Sequence, residues 1–216
     1  MKQIFLVDDH PMLREGLQRL IEQQPGCEVC GESDTACGAL EAIVRLAPDL
    51  VMTDISLPDK NGLELIKDLQ SLSPGIPILV FSMHDEMLYA ERAMRAGAKG
   101  YLMKGTMIDA LAEAIECVLS GGIYLSHRVS DHILHNLSGN RALGRIGLKS
   151  LTDRELEIFE MIGVGKSSVQ ISDLLRISPK TVDAHRANIR TKLAFPDSPA
   201  LLREAVLWVE LGTGEY

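Results

Sequence analysis

The sequence predicts two domains of different fold class: an α/β domain with a doubly wound parallel sheet over residues 1–121, and an all-α domain over residues 149–216. Short apolar runs alternate with amphipathic helical patterns in the first part, whereas helical periodicity alone continues after Leu151. A glycine-rich stretch with a polar run, residues 122–148, separates the two and is predicted to be a linker whose first half is helical. A chain of 216 residues with 46% hydrophobic residues is long enough to bury two small cores.

Five short apolar runs are the strand candidates of the first domain. Each is too short for a helix and is bounded by Gly, Pro, Asp or Ser. They lie at residues 4–8, 28–31, 50–54, 78–82 and 100–103. Amphipathic segments separate them, the first at 11–22, and a last one follows at 106–119. Five strand–helix units predict a parallel sheet covered on both faces, and right-handed crossovers favour a flavodoxin-like (βα)5 order.

Helix start signals divide the second part of the chain. Thr152 and Glu155 form a capping-box pattern, and Ser178 followed by Pro179 is typical of an N-cap with proline at the first helical position. Beyond the helix that follows Thr152, helices are predicted at 127–137 in the linker and at 167–175, 181–193 and 198–211. A short helix, a turn and a longer helix have the proportions of a helix-turn-helix.

Polar residues stand at four strand ends of the α/β domain. Asp8 and Asp9 end the first strand, Asp54 the third, Ser82 the fourth and Lys104 the last. Ligands bind at the carboxyl ends of strands in open α/β sheets, and Mg²⁺ prefers carboxylate oxygens. Each residue alone has a simpler interpretation, such as a helix cap, a turn or a solvated lysine. Together, an aspartate pair, a third aspartate, a hydroxyl and an ammonium predict an aspartate that is phosphorylated with Mg²⁺.

Charge is unevenly distributed along the chain. The net charge is −8, and residues 1–125 alone carry −9, whereas residues 166–193 carry +4. Because the sign of the local charge decides whether phosphates are attracted, the negative net charge of the whole chain does not argue against nucleic-acid binding by the helical domain.

The predicted helix at 181–193 has two distinct faces. Val182, Ile189 and Leu193 point to one side. The opposite face carries Lys180, Asp183, Ala184, Ala187, Asn188 and Thr191. The flanking basic residues Arg186, Arg190 and Lys192 are suited to contact DNA phosphates. This pattern fits a recognition helix in the major groove, although an ordinary amphipathic helix with a solvated face would show it too.

Residues 3–121 resemble the receiver domain of two-component response regulators. The resemblance implies that Asp54 accepts the phosphoryl group from a partner sensor histidine kinase or small phosphodonor, that Ser82 and Lys104 contact that group, and that Tyr101 turns inward as a switch. It implies a Mg²⁺ site formed by Asp8, Asp9, Asp54 and the main-chain carbonyl of Ser56.

Residues 148–211 resemble the LuxR-type four-helix DNA-binding domain through the spacing of Thr181-Val182, His185-Arg186, Ile189 and Lys192-Leu193. The whole chain thus resembles the NarL/FixJ class, which implies phosphorylation-dependent binding of double-stranded DNA as a homodimer to regulate transcription. Contacts with DNA are expected from Lys180, Thr181, Asp183, Ala184, Arg186, Ala187, Asn188, Arg190, Thr191 and Lys192. Asp183 stands where the family often has a basic residue; since an acid can accept from cytosine N4, we hypothesise that it helps to set sequence preference.

Two other function classes use related chemistry or a similar domain arrangement. A Mg²⁺-dependent phosphatase would carry Asp-x-Asp-x-Thr after the first strand, which Asp8-Asp9-His10-Pro11 does not match. A phosphorylation-dependent regulator whose helical domain binds protein instead of DNA remains an alternative. No signal peptide or apolar run long enough to span a bilayer is recognisable, so we expect a cytoplasmic protein that does not bind membranes.

Overall fold

The computed structural model describes residues 1–105, 108–137 and 146–210. The chain divides into two compact units, Met1–Ser138 and Gly139–Tyr216. The predicted helix start at Thr106, residues 138–145 of the linker and the predicted helix end at Leu211 lie outside the described residues. Within the described ranges, no helix has both the length and the apolar composition that crossing a bilayer requires.

The first unit is built on a five-stranded parallel sheet. The strands are β1 (Lys2–Val7), β2 (Cys27–Ser33), β3 (Leu50–Thr53), β4 (Ile78–Ser82) and β5 (Gly100–Met103). Their order, β2-β1-β3-β4-β5, confirms the predicted flavodoxin-like arrangement. β1 and β3 each end one residue earlier than predicted, so Asp8 and Asp54 stand just beyond their strands.

Helices cover both faces of this sheet. They are α1 (Pro11–Glu22), α2 (Ala36–Leu46), α3 (Gly62–Leu72), α4 (Glu86–Ala96) and α5 (Ile108–Leu119). Strand side chains alternate between the two faces. Alternate residues such as Ile4 and Leu6 join Leu17 and Ile21 of α1 and Ile115 of α5 in one buried cluster. On the other face α3 packs against both α2 and α4.

The segment after α5 returns along the outer edge of β5. Tyr101 donates its main-chain N–H to the Tyr124 oxygen at 2.9 Å, and Tyr124 donates to the Lys99 oxygen at 3.0 Å. The linker helix α6 (His127–Leu137) follows and packs against α4, where the Ser126 hydroxyl donates to Glu86 at 2.9 Å. Val129 is buried. The predicted linker helix is therefore confirmed, and it packs within the first compact unit.

The second unit is helical, as predicted. It contains a short α7 (Ile146–Lys149), followed by α8 (Asp153–Gly163), α9 (Ser168–Leu175), α10 (Pro179–Lys192) and α11 (Ser198–Glu210). The capping box of Thr152 and Glu155 is present. α8 packs against α10 and α11, and the core includes Leu156, Phe159, Ile162, Ile171, Val182, Ile189, Leu201 and Ala205. The Trp208 ring lies 5.8 Å from that of Phe159.

Candidate functional site

The predicted acidic residues converge at the carboxyl edge of the sheet. Asp54 is held beside β1 because its main-chain N–H donates to the Val7 oxygen at 2.9 Å. Ligand atoms of Asp8, Asp9, His10 and Asp54 all lie within 4.8 Å of one another. Asp8 and Asp54 are buried, whereas Asp9 is exposed. The structure thus forms an acidic cluster with one open side.

Lys104 is shared by the two buried aspartates. Its Nζ lies 2.5 Å from Oδ2 of Asp8 and 2.6 Å from Oδ2 of Asp54. Burial by itself would lower the pKa of this ammonium, but hydrogen bonds and charge from Asp54 and then Asp8 outweigh it, so the pKa of Lys104 is raised above its ordinary value. Lys104 therefore stays cationic at neutral pH and offsets part of the acidic charge.

The Asp54 side chain is oriented by its own loop. The Ile55 main-chain N–H donates to Oδ1 at 2.6 Å, and the Gly62 N–H donates back to the Ile55 oxygen at 2.8 Å. Asn61 caps α3 by accepting from the Leu63 N–H at 2.9 Å. A Cβ atom at residue 62 would lie 2.1 Å from the Asp54 main-chain oxygen. Only glycine fits this approach, a role that its place directly after an Asn N-cap could have suggested.

Ser82 and Tyr101 lie on the two strands that follow β3 in the sheet, Ser82 at the end of β4 and Tyr101 on β5. Ser82 is fully buried, and its main-chain oxygen accepts from the Lys104 N–H at 2.7 Å. Tyr101 is buried, and its hydroxyl donates to the His84 oxygen at 2.9 Å. The His84 ring shares a 2.8 Å hydrogen bond with the Ser56 hydroxyl. Side-chain hydrogen bonds therefore connect the loop after β4 both to β5 and to the loop after Asp54.

His10 contacts both aspartates at the end of β1. Its Nδ1 lies 2.6 Å from Oδ1 of Asp9 and 3.1 Å from Oδ1 of Asp8. Its main-chain N–H also donates to Asp8 at 2.8 Å. The ring itself is about two-thirds exposed, at 67%. His10 therefore borders the open side of the cluster.

The helix-turn-helix has the geometry that the pattern predicted. Ser178 caps α10 by accepting from the Thr181 N–H at 3.1 Å, and Pro179 occupies the first helical turn. Val182 and Ile189 are fully buried against the other helices, whereas Leu193 is half-buried. The exposed residues on the outer side include Lys180, Thr181, Asp183, Ala184, Ala187, Asn188, Thr191 and Lys192, and Arg186 and Arg190 are half-buried.

Four of the expected DNA-contacting side chains already have partners among the described residues of the unit. The Thr181 hydroxyl shares a 2.8 Å hydrogen bond with that of Ser178. Lys192 Nζ lies 2.6 Å from Oε2 of the buried Glu155. The Thr191 hydroxyl donates to the Ala187 main-chain oxygen at 3.0 Å, and Oδ1 of Asp183 accepts from the Ser168 hydroxyl at 2.8 Å. A phosphate contact by Lys192 would therefore compete with an ion pair that joins α8 to α10.

Glu155 has two roles in the helical unit. Burial would raise the pKa of its carboxyl group, but hydrogen bonds from Lys192 and from the Thr152 main-chain N–H outweigh burial and lower that pKa. Oε2 accepts from the Thr152 N–H at 2.7 Å as well as from Lys192. The same carboxylate thus closes the capping box of α8 and holds the end of α10.

Comparison with known proteins identifies the same two parts. Residues 4–116 match the response regulator receiver domain family, and residues 149–205 match the bacterial regulatory proteins of the luxR family. The chain is 32% identical to the transcriptional regulatory protein DegU of Brevibacillus brevis, across 97% of this chain and 95% of DegU. It is 36% identical to the transcriptional regulatory protein LiaR of Bacillus subtilis, across 91% and 93%.

Solved structures agree with these matches. A LuxR-family two-component response regulator from Aurantimonas is 36% identical, covers 63% of this chain and 97% of its own, and gives a TM-score of 0.59. RcsB of Salmonella enterica bound to promoter P1flhDC shares the fold, with a TM-score of 0.70 at 24% identity over 94% of this chain and 98% of RcsB. The chain belongs to the NarL/FixJ family of response regulators, in which a receiver domain is joined to a LuxR-type helix-turn-helix domain.

Proposed function

We propose that this response regulator is phosphorylated on Asp54 by a partner sensor histidine kinase and then binds double-stranded DNA as a homodimer to regulate transcription. The proposed phosphorylation rests on the buried cluster around Lys104. Its ammonium lies 2.5 and 2.6 Å from oxygens of Asp8 and Asp54. A carboxylate next to a buried cation is suited to accept a phosphoryl group, since the cation offsets the charge that arrives with it.

In the proposed transfer, a carboxylate oxygen of Asp54 attacks phosphorus and the bond between phosphorus and the donor breaks, leaving an acyl phosphate. The Ile55 N–H and the Lys104 ammonium, each 2.6 Å from a different Asp54 oxygen, hold the carboxylate plane during the attack. The hydroxyl of Ser82, on the neighbouring strand, would donate to a phosphoryl oxygen. We expect no catalysis beyond this transfer and hydrolysis of the product.

Mg²⁺ fits the donor set. The cluster holds three carboxylates and one ammonium, so it keeps net negative charge, and hard oxygen donors suit this ion. Asp9 and Asp54, with the main-chain carbonyl of Ser56, would be its direct protein ligands. Asp8 would bind through water, as the resemblance to receiver domains implies; its oxygens also accept from Lys104 and from the His10 N–H. When bound, Mg²⁺ would offset the repulsion between phosphoryl group and carboxylates.

Labelling by acetyl phosphate tests the phosphoacceptor. The full chain, Asp54→Asn and the control Asp34→Asn are incubated with acetyl phosphate and MgCl2, and intact mass is measured. Asp54→Asn preserves shape but replaces the nucleophilic carboxylate with a neutral amide, so it should not gain the mass of a phosphoryl group, whereas Asp34 is an exposed carboxylate whose loss should change nothing. A label that persists on Asp54→Asn would contradict the assignment.

The second half of the proposal rests on the exposed outer face of α10. Four basic side chains, Lys180, Arg186, Arg190 and Lys192, lie on or beside that face within a segment of charge +4. Such a helix fits the major groove, with basic side chains at its margins for phosphates. Because one four-helix module offers a small interface, pairing two modules on a two-fold DNA site would supply affinity.

Salt dependence of DNA binding separates this function from that of a protein-binding regulator. Anisotropy of a labelled duplex is measured in increasing KCl, with and without the phosphoryl mimic beryllofluoride, and mass in solution is measured alongside. Beryllofluoride is expected to favour the dimer, and a log–log slope of about −3.6 or steeper is expected if four or more phosphates are contacted. Arg186→Ala with Arg190→Ala should flatten the slope, whereas Arg203→Ala on α11 should not. Salt-independent or absent DNA binding would favour the protein-binding regulator.

A further inference from the structure

The outer face of the recognition helix carries one acidic side chain, Asp183, at a place where phosphates should repel it. Among the described residues, no Lys or Arg forms an ion pair with this carboxylate. Its partner is instead neutral: the Ser168 hydroxyl on the preceding helix α9 donates to Oδ1 at 2.8 Å. The negative charge therefore remains and is held in one position.

Ser168 is itself well anchored. It is the first residue of α9, directly after the N-cap Ser167. The Ser167 hydroxyl accepts from the Gln170 N–H at 3.3 Å, and the Gln170 side chain accepts from the Ser167 N–H at 2.9 Å. This reciprocal cap fixes the backbone at the start of α9. The Ser168 hydroxyl can therefore restrict the Asp183 rotamer before DNA arrives, which lowers the entropy cost of a later contact.

The chemistry of a fixed carboxylate selects one base. Guanine and thymine present only hydrogen-bond acceptors in the major groove, and adenine places its N7 acceptor beside the N6 donor. Cytosine presents the N4 amino donor alone. The neighbouring exposed residues Ala184 and Ala187 are small enough to allow a close approach of the helix. Oδ2 of Asp183 is not the oxygen that Ser168 occupies and so can accept from such a donor.

We propose that Asp183 and Ser168 act together as a specificity device: Asp183 accepts from the N4 amino group of a cytosine in the binding site, and Ser168 is the positioning residue that holds it in reach. This inference rests on the proposed DNA-binding function. It predicts one base pair at which the identity of residue 183 decides the preferred base, whereas the remaining positions of the motif depend on other side chains.

Binding-site selection from a randomised double-stranded DNA library tests the device, using the full chain with beryllofluoride. Duplexes that differ only at the selected cytosine are then compared by anisotropy. The wild-type chain should prefer cytosine by about fivefold or more, near the lower end for a specific base contact. Asp183→Ala should reduce the preference to less than about twofold while keeping the rest of the motif. Asp183→Asn should move it towards adenine, because an amide can donate to N7 while it accepts from N6.

Ser168 is tested by removal and rescue. Ser168→Ala should weaken the cytosine preference without changing other positions, and Ser168→Thr, which keeps the hydroxyl, should restore it. Asp173→Asn, which removes an exposed acid from α9, controls for net charge and should select the wild-type motif. If wild type and Asp183→Ala select the same motif, the proposed contact of Asp183 with cytosine is wrong. If Ser168→Ala keeps the full cytosine preference, the positioning role of Ser168 is wrong. Absence of any DNA binding by the wild-type chain would overturn the proposed function as well.

Discussion

Replacing Lys104 with Met should destabilise the first compact unit more than any loss of a surface charge. The ammonium is 7% exposed, and each aspartate side chain that it contacts is 4% exposed. Coulomb's law at an effective dielectric constant of about 20 gives a gross attraction of roughly 6 kcal/mol for each contact at these distances. Desolvation offsets much of this attraction, and removal of one partner from a buried ion pair typically costs about 3–5 kcal/mol.

Such a loss is large enough to be read from a melting curve. For a unit of this size, about 3 °C is lost per kcal/mol, so Lys104→Met should lower the melting temperature by roughly 10–15 °C. Differential scanning calorimetry of the full chain measures the shift. Lys99→Met, which removes an exposed ammonium, is the matched control. Fluorescence of Trp208, the single tryptophan, reports the helical unit, whose transition should not move.

The pH dependence gives an independent check on the same contact. Because the pKa of Lys104 is raised in the folded chain, its stabilisation is fully present below the unfolded value near 10.5 and is lost as pH rises through the folded value. The wild-type chain should therefore lose stability above about pH 10.5 by a component that Lys104→Met lacks. If Lys104→Met melted within a few degrees of Lys99→Met at pH 7, the two aspartates would not depend on this cation and the reasoning would be refuted.

Three further predictions concern the glycine, the capping carboxylate and the metal. Gly62→Ala should destabilise the first unit by about 2 kcal/mol or more and slow acetyl-phosphate labelling, because its Cβ would collide with a main-chain oxygen; Gly75→Ala, where nothing lies within 4 Å, should do neither. The stabilisation of the helical unit by Glu155 should be fully present above the unfolded pKa of 4.5 and should be lost as pH falls through the lower folded pKa. Glu155→Gln should therefore weaken the loss of stability at acidic pH in circular-dichroism melts. Lys192→Ala should also weaken this loss of stability at acidic pH, since the substitution removes the ion pair with Glu155. Adding MgCl2 should raise the melting temperature of the first unit, and Asp9→Asn should reduce that rise; an equal rise in both would contradict a role for Asp9 in the metal site.

Local signals predicted most of the fold. The strand order followed from five apolar runs and the handedness of crossovers, and helix starts were found where a cap stands in the sequence, as at Thr152 and Ser178. Some element ends differed from the apolar pattern. That pattern placed the start of α10 at residue 181, but the helix begins at Pro179, as the Ser178-Pro179 cap signal indicates, because proline at the first helical position lacks only an N–H that the helix would not have used. β1 and β3 end before their aspartates, whose side chains turn to the site.

Contacts between distant elements could not be predicted from pattern. The motif placed Lys104 near the acidic cluster but did not reveal that one ammonium joins Asp8 and Asp54. Lys192 looked like a phosphate ligand because it is a basic residue on a basic helix, yet its partner Glu155 lies 37 residues away in sequence. Whether a side-chain hydrogen bond forms depends on differences of a few tenths of an ångström in the distance between two elements. The periodicity of a sequence does not specify distances that finely.

The return of the chain along β5 bears on how the first unit can be studied alone. An open strand edge offers unpaired N–H and C=O groups to a strand from another molecule, which promotes aggregation. Here Tyr124 occupies part of that edge, and α6 continues from it onto α4. A fragment cut at residue 121, the boundary that composition suggests, would bare the edge and remove the buried Val129. A fragment cut after α6 would keep this part of the β5 edge covered, and should stay monomeric at concentrations where the shorter one self-associates.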